Sequence, residues 1–368
     1  MKTVMGIINI PENADRVREL TEKRSIASLP FAGRYRIIDF ALSSMVNSGI
    51  IHVGIMLPDQ SRSVLDHLRS GKDWDLARHH EGLFYLPPMK DDRTARDGDL
   101  KNFYHHLDFV EHSDQKYVLV ANGNMIYNIN FANMLRFHQN TGADITMAYH
   151  VVTDEHPGGG IVVETAENGL VQDISRKPVL YEGSMASIGA YLMDKRVFVD
   201  IVRSAFEHGG TDFVIDCIIR QFRDLAVYAC AHDGYTAAIN STASYYKASM
   251  DVLQPDVLQE LFMNGDSIYT KSKDEVPVQY KDTAHVENSL IANGCIIRGE
   301  VENSILFRGV RIGKGVKVSN SILMQKCDLQ DDALVENVIC DKNVVITKEK
   351  WLKGAPNYPL IVNKNIVI

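Results

Sequence analysis

Four similar segments in the last quarter of the chain restrict its possible folds more than any other feature. They begin at Val286, Val301, Val318 and Val335, at intervals of 15, 17 and 17 residues, and each continues with Glu or Ser, then Asn, then Ser or Val, then a short apolar pair. A period near three hexapeptides, with one aliphatic strand per hexapeptide, is typical of a coil of a parallel β-helix. An antiparallel sandwich shows similar alternation, but the common register of the four segments favours the β-helix.

Glycines and the C-terminal tail fit this interpretation. Gly294, Gly299, Gly309, Gly313 and Gly315 are spaced as corner residues, which tolerate positive φ. A β-helix this short leaves its end coils open, and such edges are normally covered by another chain or a capping segment. We therefore expect oligomerisation, with the tail from Trp351 to Ile368 supplying part of the cover.

The first two thirds of the chain alternate between strand and helix patterns. Short apolar runs predict strands at Lys2 to Ile8, His52 to Leu57, Tyr117 to Ala121 and Ile145 to His150. Apolar residues three and four apart predict helices at Ile38 to Asn47, Val64 to Ser70, Phe103 to Glu111 and Phe131 to Gln139. The alternation predicts a layered α/β domain with a parallel sheet, whose ligands would lie beyond the strand ends at Asn9 and Asn122. We place this domain at 1–270, a linker at 271–284 and the β-helix at 285–368.

Composition excludes several function classes. The chain has 368 residues, 45% of them hydrophobic and 23% charged, and its net charge is −8. Without a Lys/Arg run to follow a phosphate backbone, nucleic acid is not expected as a partner. Five cysteines without CxxC spacing indicate neither a disulfide framework nor a zinc site. Since neither a leader nor a membrane-spanning stretch is recognisable, we expect a cytoplasmic protein.

The segment after the first strand lacks the residues of a phosphate-binding loop. It reads Asn9-Ile10-Pro11-Glu12-Asn13-Ala14-Asp15, where such a loop would need glycines and a cation. Glu12 and Asp15 would repel a triphosphate unless a metal intervened. The segment alone is equally compatible with a turn in a fold that never bound nucleotide.

A long motif resembles a known enzyme family. The run from Leu29 to Ser43, which reads LPFAGRYRIIDFALS, and its continuation Asn47-Ser48-Gly49-Ile50 resemble the start of bacterial glucose-1-phosphate adenylyltransferases, which make ADP-glucose for glycogen. The resemblance implies a Rossmann-like nucleotidyltransferase domain followed by a left-handed parallel β-helix. Within this family, the chain is similar to the non-catalytic glycogen biosynthesis subunits of Gram-positive bacteria, which implies a catalytic adenylyltransferase chain as partner, in a heterotetramer.

The family's catalytic positions are degenerate in this chain. The phosphate-binding lysine of the family aligns with Ile26, and its Gly-Thr-Ala-Asp loop aligns with Gly98-Asp99-Leu100-Lys101. Its two magnesium-binding aspartates align with Asn124 and Ala238, so the two carboxylates that would anchor the ion are missing. We expect no adenylyl transfer by the chain alone and no cofactor, with Mg²⁺ bound only by the catalytic partner.

Part of the family's sugar-binding pattern is retained. Lys177 aligns with the lysine of a Glu-Lys-Pro element that pairs with the glucose phosphate, Ser187 lies in a similar Ala-Ser segment, and Asp212 in a similar Asp-Phe segment. These three residues are candidates for binding a phosphosugar, although a lone lysine is as often simply solvated. The chain could thus also act as a ligand sensor.

Two other functions stay open at this point. A sugar-phosphate nucleotidyltransferase with a rebuilt, weakly active site is one alternative. A hexapeptide-repeat acyltransferase is the other, but it typically needs a histidine between coils, and the β-helix has none beyond His285.

Overall fold

A computed structural model describes residues 1–11, 17–89, 98–153, 159–263 and 265–368. Glu12 and Asp15 lie outside these described residues. The helices and strands up to residue 263 are β1 (Val4–Asn9), α1 (Arg18–Thr21), β2 (Pro30–Phe31), β3 (Tyr35–Arg36), α2 (Ile38–Asn47), β4 (His52–Met56), α3 (Arg62–Leu68), β5 (Gly82–Leu86), α4 (Leu100–His105), α5 (Leu107–Glu111), β6 (Tyr117–Asn122), β7 (Met125–Ile126), α6 (Phe131–Thr141), β8 (Ile145–Val151), β9 (Gly160–Thr165), β10 (Val171–Lys177), β11 (Met185–Asp194), α7 (Lys195–Glu207), β12 (Val227–Ala231), β13 (Ala237–Ala238), α8 (Thr242–Asp251) and α9 (Pro255–Phe262).

The four predicted strands and four predicted helices are confirmed with small shifts. β1, β4, β6 and β8 occupy the predicted runs, and α2 has the predicted bounds. The helix predicted at Phe103 to Glu111 is interrupted near His106, which separates α4 from α5. Over the described parts of the chain, every helix is too short or too polar to cross a membrane.

The large sheet is mixed, not fully parallel as predicted. Its order is β10-β9-β11-β6-β1-β4-β5, and β8 pairs with both β11 and β12. The neighbours from β6 to β5 are parallel, but β11 runs antiparallel to β6, β8 and β9. The short connection between β9 and β10 makes these two strands an antiparallel pair, because a parallel crossover needs a dozen or more residues.

The C-terminal part is a left-handed parallel β-helix, as predicted. Its strands form three five-stranded parallel sheets, in the orders β14-β17-β20-β23-β26, β15-β18-β21-β24-β27 and β16-β19-β22-β25-β28. Their bounds are β14 (Gln279–Tyr280), β15 (His285–Glu287), β16 (Leu290–Ile291), β17 (Ile296–Ile297), β18 (Glu300–Glu302), β19 (Ile305–Leu306), β20 (Arg311–Ile312), β21 (Lys317–Ser319), β22 (Ile322–Leu323), β23 (Asp328–Leu329), β24 (Leu334–Glu336), β25 (Val338–Cys340), β26 (Val345–Ile346), β27 (Trp351–Lys353) and β28 (Leu360–Val362). The tail therefore builds the last coil itself through β27 and β28.

Asparagine, as well as glycine, forms the corners of the β-helix. The asparagines of the four repeats, Asn288, Asn303, Asn320 and Asn337, all have φ between 39° and 53°. Asparagine tolerates this left-handed region better than other residues with a Cβ. The prediction of positive φ is confirmed for Gly294, Gly309 and Gly315.

The positive φ predicted for Gly299 and Gly313 is wrong. A Cβ at Gly299 would lie 2.3 Å from the carbonyl oxygen of Val316, and one at Gly313 would lie 2.8 Å from the amide nitrogen of Asp331. Lack of space between coils, and not the backbone angle, therefore requires glycine at these two positions.

The chain divides into two compact units, and each unit is built from several separate segments of the sequence. The predicted domain limits 1–270, 271–284 and 285–368 stay a prediction. The first unit comprises the described parts of Met1–Asn13, Ile38–Ala238 and Asp266–Tyr269. The second comprises those of Ala14–Ile37, Ile239–Gly265 and Thr270–Ile368. Hydrogen bonds tie the second unit together, since Tyr245 Oη donates to the carbonyl of Pro30 and Tyr246 Oη to that of Asn320, each at 2.6 Å.

Candidate functional site

Asn124 and Ala238, the two positions predicted to align with the family's metal-binding aspartates, lie close together in the first unit. Ala238 of β13 pairs with Met125 of β7, the residue that follows Asn124. The pairing of these short strands brings together two residues that are more than a hundred positions apart in the sequence. Both residues are partly exposed, although the amide oxygen of Asn124 is buried.

The residues at this position do not fit a magnesium ion. Mg²⁺ requires oxygen ligands and is usually held through one or two carboxylates, whereas Asn124 offers a neutral amide and Ala238 a methyl group. Over the described residues there is also no group of three or more His, Cys, Asp or Glu side chains suited to a metal. That the protein uses no metal cofactor stays a prediction.

Asp99 occupies the region beyond the end of β1. Its Oδ2 accepts a hydrogen bond from Asn9 Nδ2 at 2.6 Å, and its Oδ1 accepts one from the backbone N–H of Phe213 at 2.8 Å. Burial raises the pKa of Asp99 to about 6, and the nearby charge of Asp212 acts in the same direction, while the hydrogen bonds from Phe213 and Asn9 oppose it. At neutral pH this carboxyl group is therefore still mostly ionised.

Carboxylates also accept hydrogen bonds from the neighbouring backbone N–H groups at the start of the π-helix Phe213–Ile219. Asp216 Oδ2 accepts from Thr211 N at 2.6 Å and from Asp212 N at 2.9 Å. Asp212 Oδ1 accepts from Ile215 N at 2.9 Å. These donors are consequently engaged within the protein and do not form an anion-binding site.

Ser187 lies where the pairing of β11 with β8 shifts its register, between Ser187 and Tyr191. Its Oγ is 3.1 Å from Tyr191 Oη and accepts a hydrogen bond from Gly189 N at 3.2 Å. Gly189 has φ of +69°, and a Cβ there would lie 2.5 Å from Asn122 Nδ2 at the end of β6. Ser187 is thus held beside the strand ends where ligands of such sheets bind.

Arg176, and not Lys177, reaches the predicted sugar-binding residue Asp212. Arg176 Nη1 lies 3.9 Å from Asp212 Oδ2. Lys177 is the next residue of β10 and is exposed. Since adjacent residues of a strand project to opposite faces, Lys177 is directed away from Asp212. The sequence argument missed Arg176 because it followed the family motif and did not apply strand alternation.

Ile26 belongs to the second unit. It is 2% exposed within the 3₁₀-helix Ile26–Ser28, so the position predicted to align with the family's lysine carries a buried apolar side chain. Two residues earlier, Arg24 is also buried and forms an ion pair with Asp341 of the β-helix. Lys342 follows, and its pKa is lowered to about 7 by burial and by the charges of Arg36 and Arg24.

The second unit also contains a cavity of about 330 Å³ with a basic and aromatic lining. Its walls include Arg34, Tyr35, Phe262, Lys273 and Arg308. The rings of Tyr35 and Phe262 stack at 5.0 Å between centroids. Burial and the charges of Arg308 and Arg36 lower the pKa of Lys273. Such a concentration of cations favours an anionic ligand, and no sequence motif indicated it because its lining comes from distant segments.

Comparison with known proteins gives two family matches. The family described as nucleotidyl transferase matches residues 13–255, and the GlmU-like C-terminal hexapeptide family matches residues 275–352. The chain is 36% identical to the glycogen biosynthesis protein GlgD of Bacillus subtilis (strain 168) over 99% of this chain and 96% of that protein. It is 38% identical to GlgD of Geobacillus stearothermophilus, over 99% and 97%. A glucose-1-phosphate adenylyltransferase of Clostridium botulinum (strain Alaska E43 / Type E3) is 31% identical, over 87% and 84%.

Proposed function

Because this chain belongs to the nucleotidyl transferase family, we propose that it is a non-catalytic, regulatory-type subunit of a cytoplasmic glucose-1-phosphate adenylyltransferase in glycogen biosynthesis. The observation that carries the proposal is the pairing that places Ala238 next to the Asn124 segment. The two positions meet as they would in a metal site, but neither side chain is a carboxylate. The scaffold of the site is therefore kept while its magnesium ligands are absent.

The proposed partner is a catalytic adenylyltransferase chain, in a heterotetramer. That chain would bind Mg²⁺ and ATP, and this chain would change its turnover or its response to effectors. Such an influence requires that the subunit interface differ in free energy between more and less active states of the partner. The names of the relatives support a role in glycogen biosynthesis. The residues at Asn124 and Ala238 support the non-catalytic role.

Assays of ADP-glucose formation test the proposal. We expect the purified chain alone to be at least about a thousandfold slower than a catalytic chain, because single losses of electrostatic stabilisation already cost about 10²–10³-fold. Mixing the two chains should change the turnover number or the effector concentration for half-maximal response. The Asn124→Asp/Ala238→Asp variant is the matched control, since a weakly active, rebuilt site would gain from added carboxylates.

Robust turnover by the lone chain would refute the proposal and favour the alternative enzyme. Co-purification from the cytoplasmic fraction provides a separate check on the partner. A catalytic chain in a fixed ratio is expected, whereas recovery of this chain only with itself would contradict the heterotetramer.

A ligand-sensing role is compatible with this function and is favoured by the basic cavity. Arg34, Lys273 and Arg308 surround a space large enough for a small sugar phosphate. The earlier candidates Lys177, Ser187 and Asp212 remain a second proposed location in the first unit. There, however, Asp212 already caps a helix and lies next to Arg176.

Isothermal titration with glucose 1-phosphate and with a sugar bisphosphate distinguishes the two locations. We expect Lys273→Ala to weaken binding at least about tenfold, because a charge-assisted hydrogen bond is lost, and Lys177→Ala to leave the affinity unchanged. The reverse pattern would place the ligand beside Lys177. An absence of heat for the unmodified chain with both ligands would remove the sensing role.

A further inference from the structure

Three segments of the first unit converge on the carboxylate of Asp99. Asn9 comes from the end of β1, Asp99 precedes α4, and Phe213 begins the π-helix. Asn9 and Phe213 donate one hydrogen bond to each of the two oxygens of Asp99, at 2.6 and 2.8 Å. The first of these contacts joins residues 90 positions apart, so it is a tertiary contact across the strand-end edge of the sheet.

The backbone beside Asp99 is equally close to the segment before the π-helix. Leu100 N donates to the carbonyl of Thr211 at 3.1 Å. Gly98 has φ of +140°, and a Cβ there would lie 2.1 Å from the same carbonyl oxygen. Only glycine permits this approach, so residues 98–100 are held against residue 211 by backbone as well as side-chain contacts.

We propose that Asn9, Asp99 and Phe213 form a latch that closes the strand-end edge of the sheet and excludes nucleotide phosphates. The Asp99 latch goes beyond the loss of the magnesium ligands, because it would block ATP even if both carboxylates were restored. It stands at the end of β1, where a phosphate-binding loop would present free N–H donors. The latch instead places the carboxylate of Asp99 beside the end of β1, where it accepts the hydrogen bond of Asn9 Nδ2.

Charge strengthens the exclusion. The charge of Asp212 acts on Asp99, and among the described residues Arg176 lies 3.9 Å from Asp212 and Arg220 lies 2.8 Å from Asp216. Among the described residues, Tyr191 and Cys217 also sense the Asp99 charge. Their pKa values are raised mainly by burial, so both are neutral at physiological pH. The ionised carboxylate of Asp99 therefore adds a negative charge at the strand-end edge, which disfavours a polyphosphate at that position.

The latch should depend on pH in a defined direction. The pKa of Asp99 is raised to about 6 in the closed state, whereas opening to water returns it towards about 3.9. The closed state thus binds a proton more tightly, and closure is favoured at low pH and weakened as the pH rises through about 6. We expect the protection of the Phe213 amide against hydrogen exchange, corrected for intrinsic rate, to fall by about ten- to a hundredfold between pH 4.5 and 7.5. Asp99→Asn should remove this dependence.

Hydrogen exchange of latch variants tests the closure itself. Asn9→Ala removes one donor, and we expect the protection of the Leu100 and Phe213 amides to fall at least about tenfold. Amides in β6, such as Leu119, should keep their protection, which shows that the unit stays folded. The control is Asp108→Asn, which removes an exposed carboxylate from nearby α5. Unchanged protection in Asn9→Ala would overturn the latch.

Titration with ATP, without partner or magnesium, tests the exclusion. We expect no binding to the unmodified chain or to Asp108→Asn, and binding in the millimolar range to Asn9→Ala and to Asp99→Thr. Binding to the unmodified chain, or none to both opened variants, would overturn the exclusion. Neither measurement depends on regulation of a partner, so a negative result here is distinct from failure of the proposed subunit role.

Discussion

Asp341→Ala is expected to lower the free energy of unfolding of the β-helix by about 3–5 kcal/mol, which is the usual cost of removing one partner of a buried ion pair. Arg24 and Asp341 are 8% and 4% exposed, and Arg24 also donates from Nε to the carbonyl of Leu20 at 2.8 Å. Without Asp341 the guanidinium would stay buried beside Lys342 with no counter-charge from residue 341. Hydrogen exchange of the amides in β22 and β25 measures the loss directly.

Two further variants separate the ion pair from general damage to the β-helix. Glu300→Ala breaks an exposed pair with Lys317, at 55% and 62% exposure, and should cost at most about 1 kcal/mol. Replacing both partners, as Arg24→Met with Asp341→Leu, should recover most of the stability, because a buried pair is often no better than apolar side chains of similar volume. Equal losses for Asp341→Ala and Glu300→Ala would show that burial of the pair is unimportant.

Gly299→Ala is expected to destabilise the β-helix by about 3 kcal/mol, because its Cβ would meet a backbone carbonyl that cannot move away. Val316 O, 2.3 Å from the ideal Cβ position, accepts the hydrogen bond from Glu300 N at 2.8 Å and so belongs to the ladder between coils. Neighbouring strands in such ladders lie about 4.8 Å apart, so the coils cannot separate to make room for a Cβ without losing these hydrogen bonds. Calorimetry should show a decrease in melting temperature of roughly 6–12 °C.

Gly309→Ala is the matched control for this steric effect. Gly309 has φ of +70°, but a Cβ there would meet only Lys326 Cγ, at 3.5 Å. Backbone strain alone should then cost about 1–2 kcal/mol. If Gly309→Ala were as harmful as Gly299→Ala, backbone conformation, and not space between coils, would be the reason for both glycines.

Local patterns were sufficient to predict most of the secondary structure. The β-branched run at Ile145 and the helical periodicity from Ile38 to Asn47 both correspond to observed elements. The repeat of the four valine-led segments predicted the β-helix, because each coil depends mainly on its own hexapeptides and on neighbouring coils. The family motif around Arg34 and Tyr35 likewise identified the nucleotidyl transferase family.

Strand direction and side-chain partners could not be predicted in the same way. The orientation of β11 is seen only in its antiparallel pairing with β6, and the choice between Arg176 and Lys177 depends on which face of β10 meets Asp212. The loop from Gly98 to Lys101 was identified only as a departure from a family motif. Its contact with Asn9 needed coordinates, because 90 residues separate the two partners.

The sequence was enough to predict the β-helix from its repeats. It was also enough to identify Ile26, Asn124 and Ala238 as positions that depart from the family's catalytic residues. Each of these inferences depends on residue identity at a known spacing. Tertiary structure alone revealed that Ala238 lies beside the Asn124 segment, that Asp99 bonds to Asn9, and that Arg24 meets Asp341. Contacts of this kind depend on how distant segments pack, and packing is a property of the whole fold that no local pattern encodes.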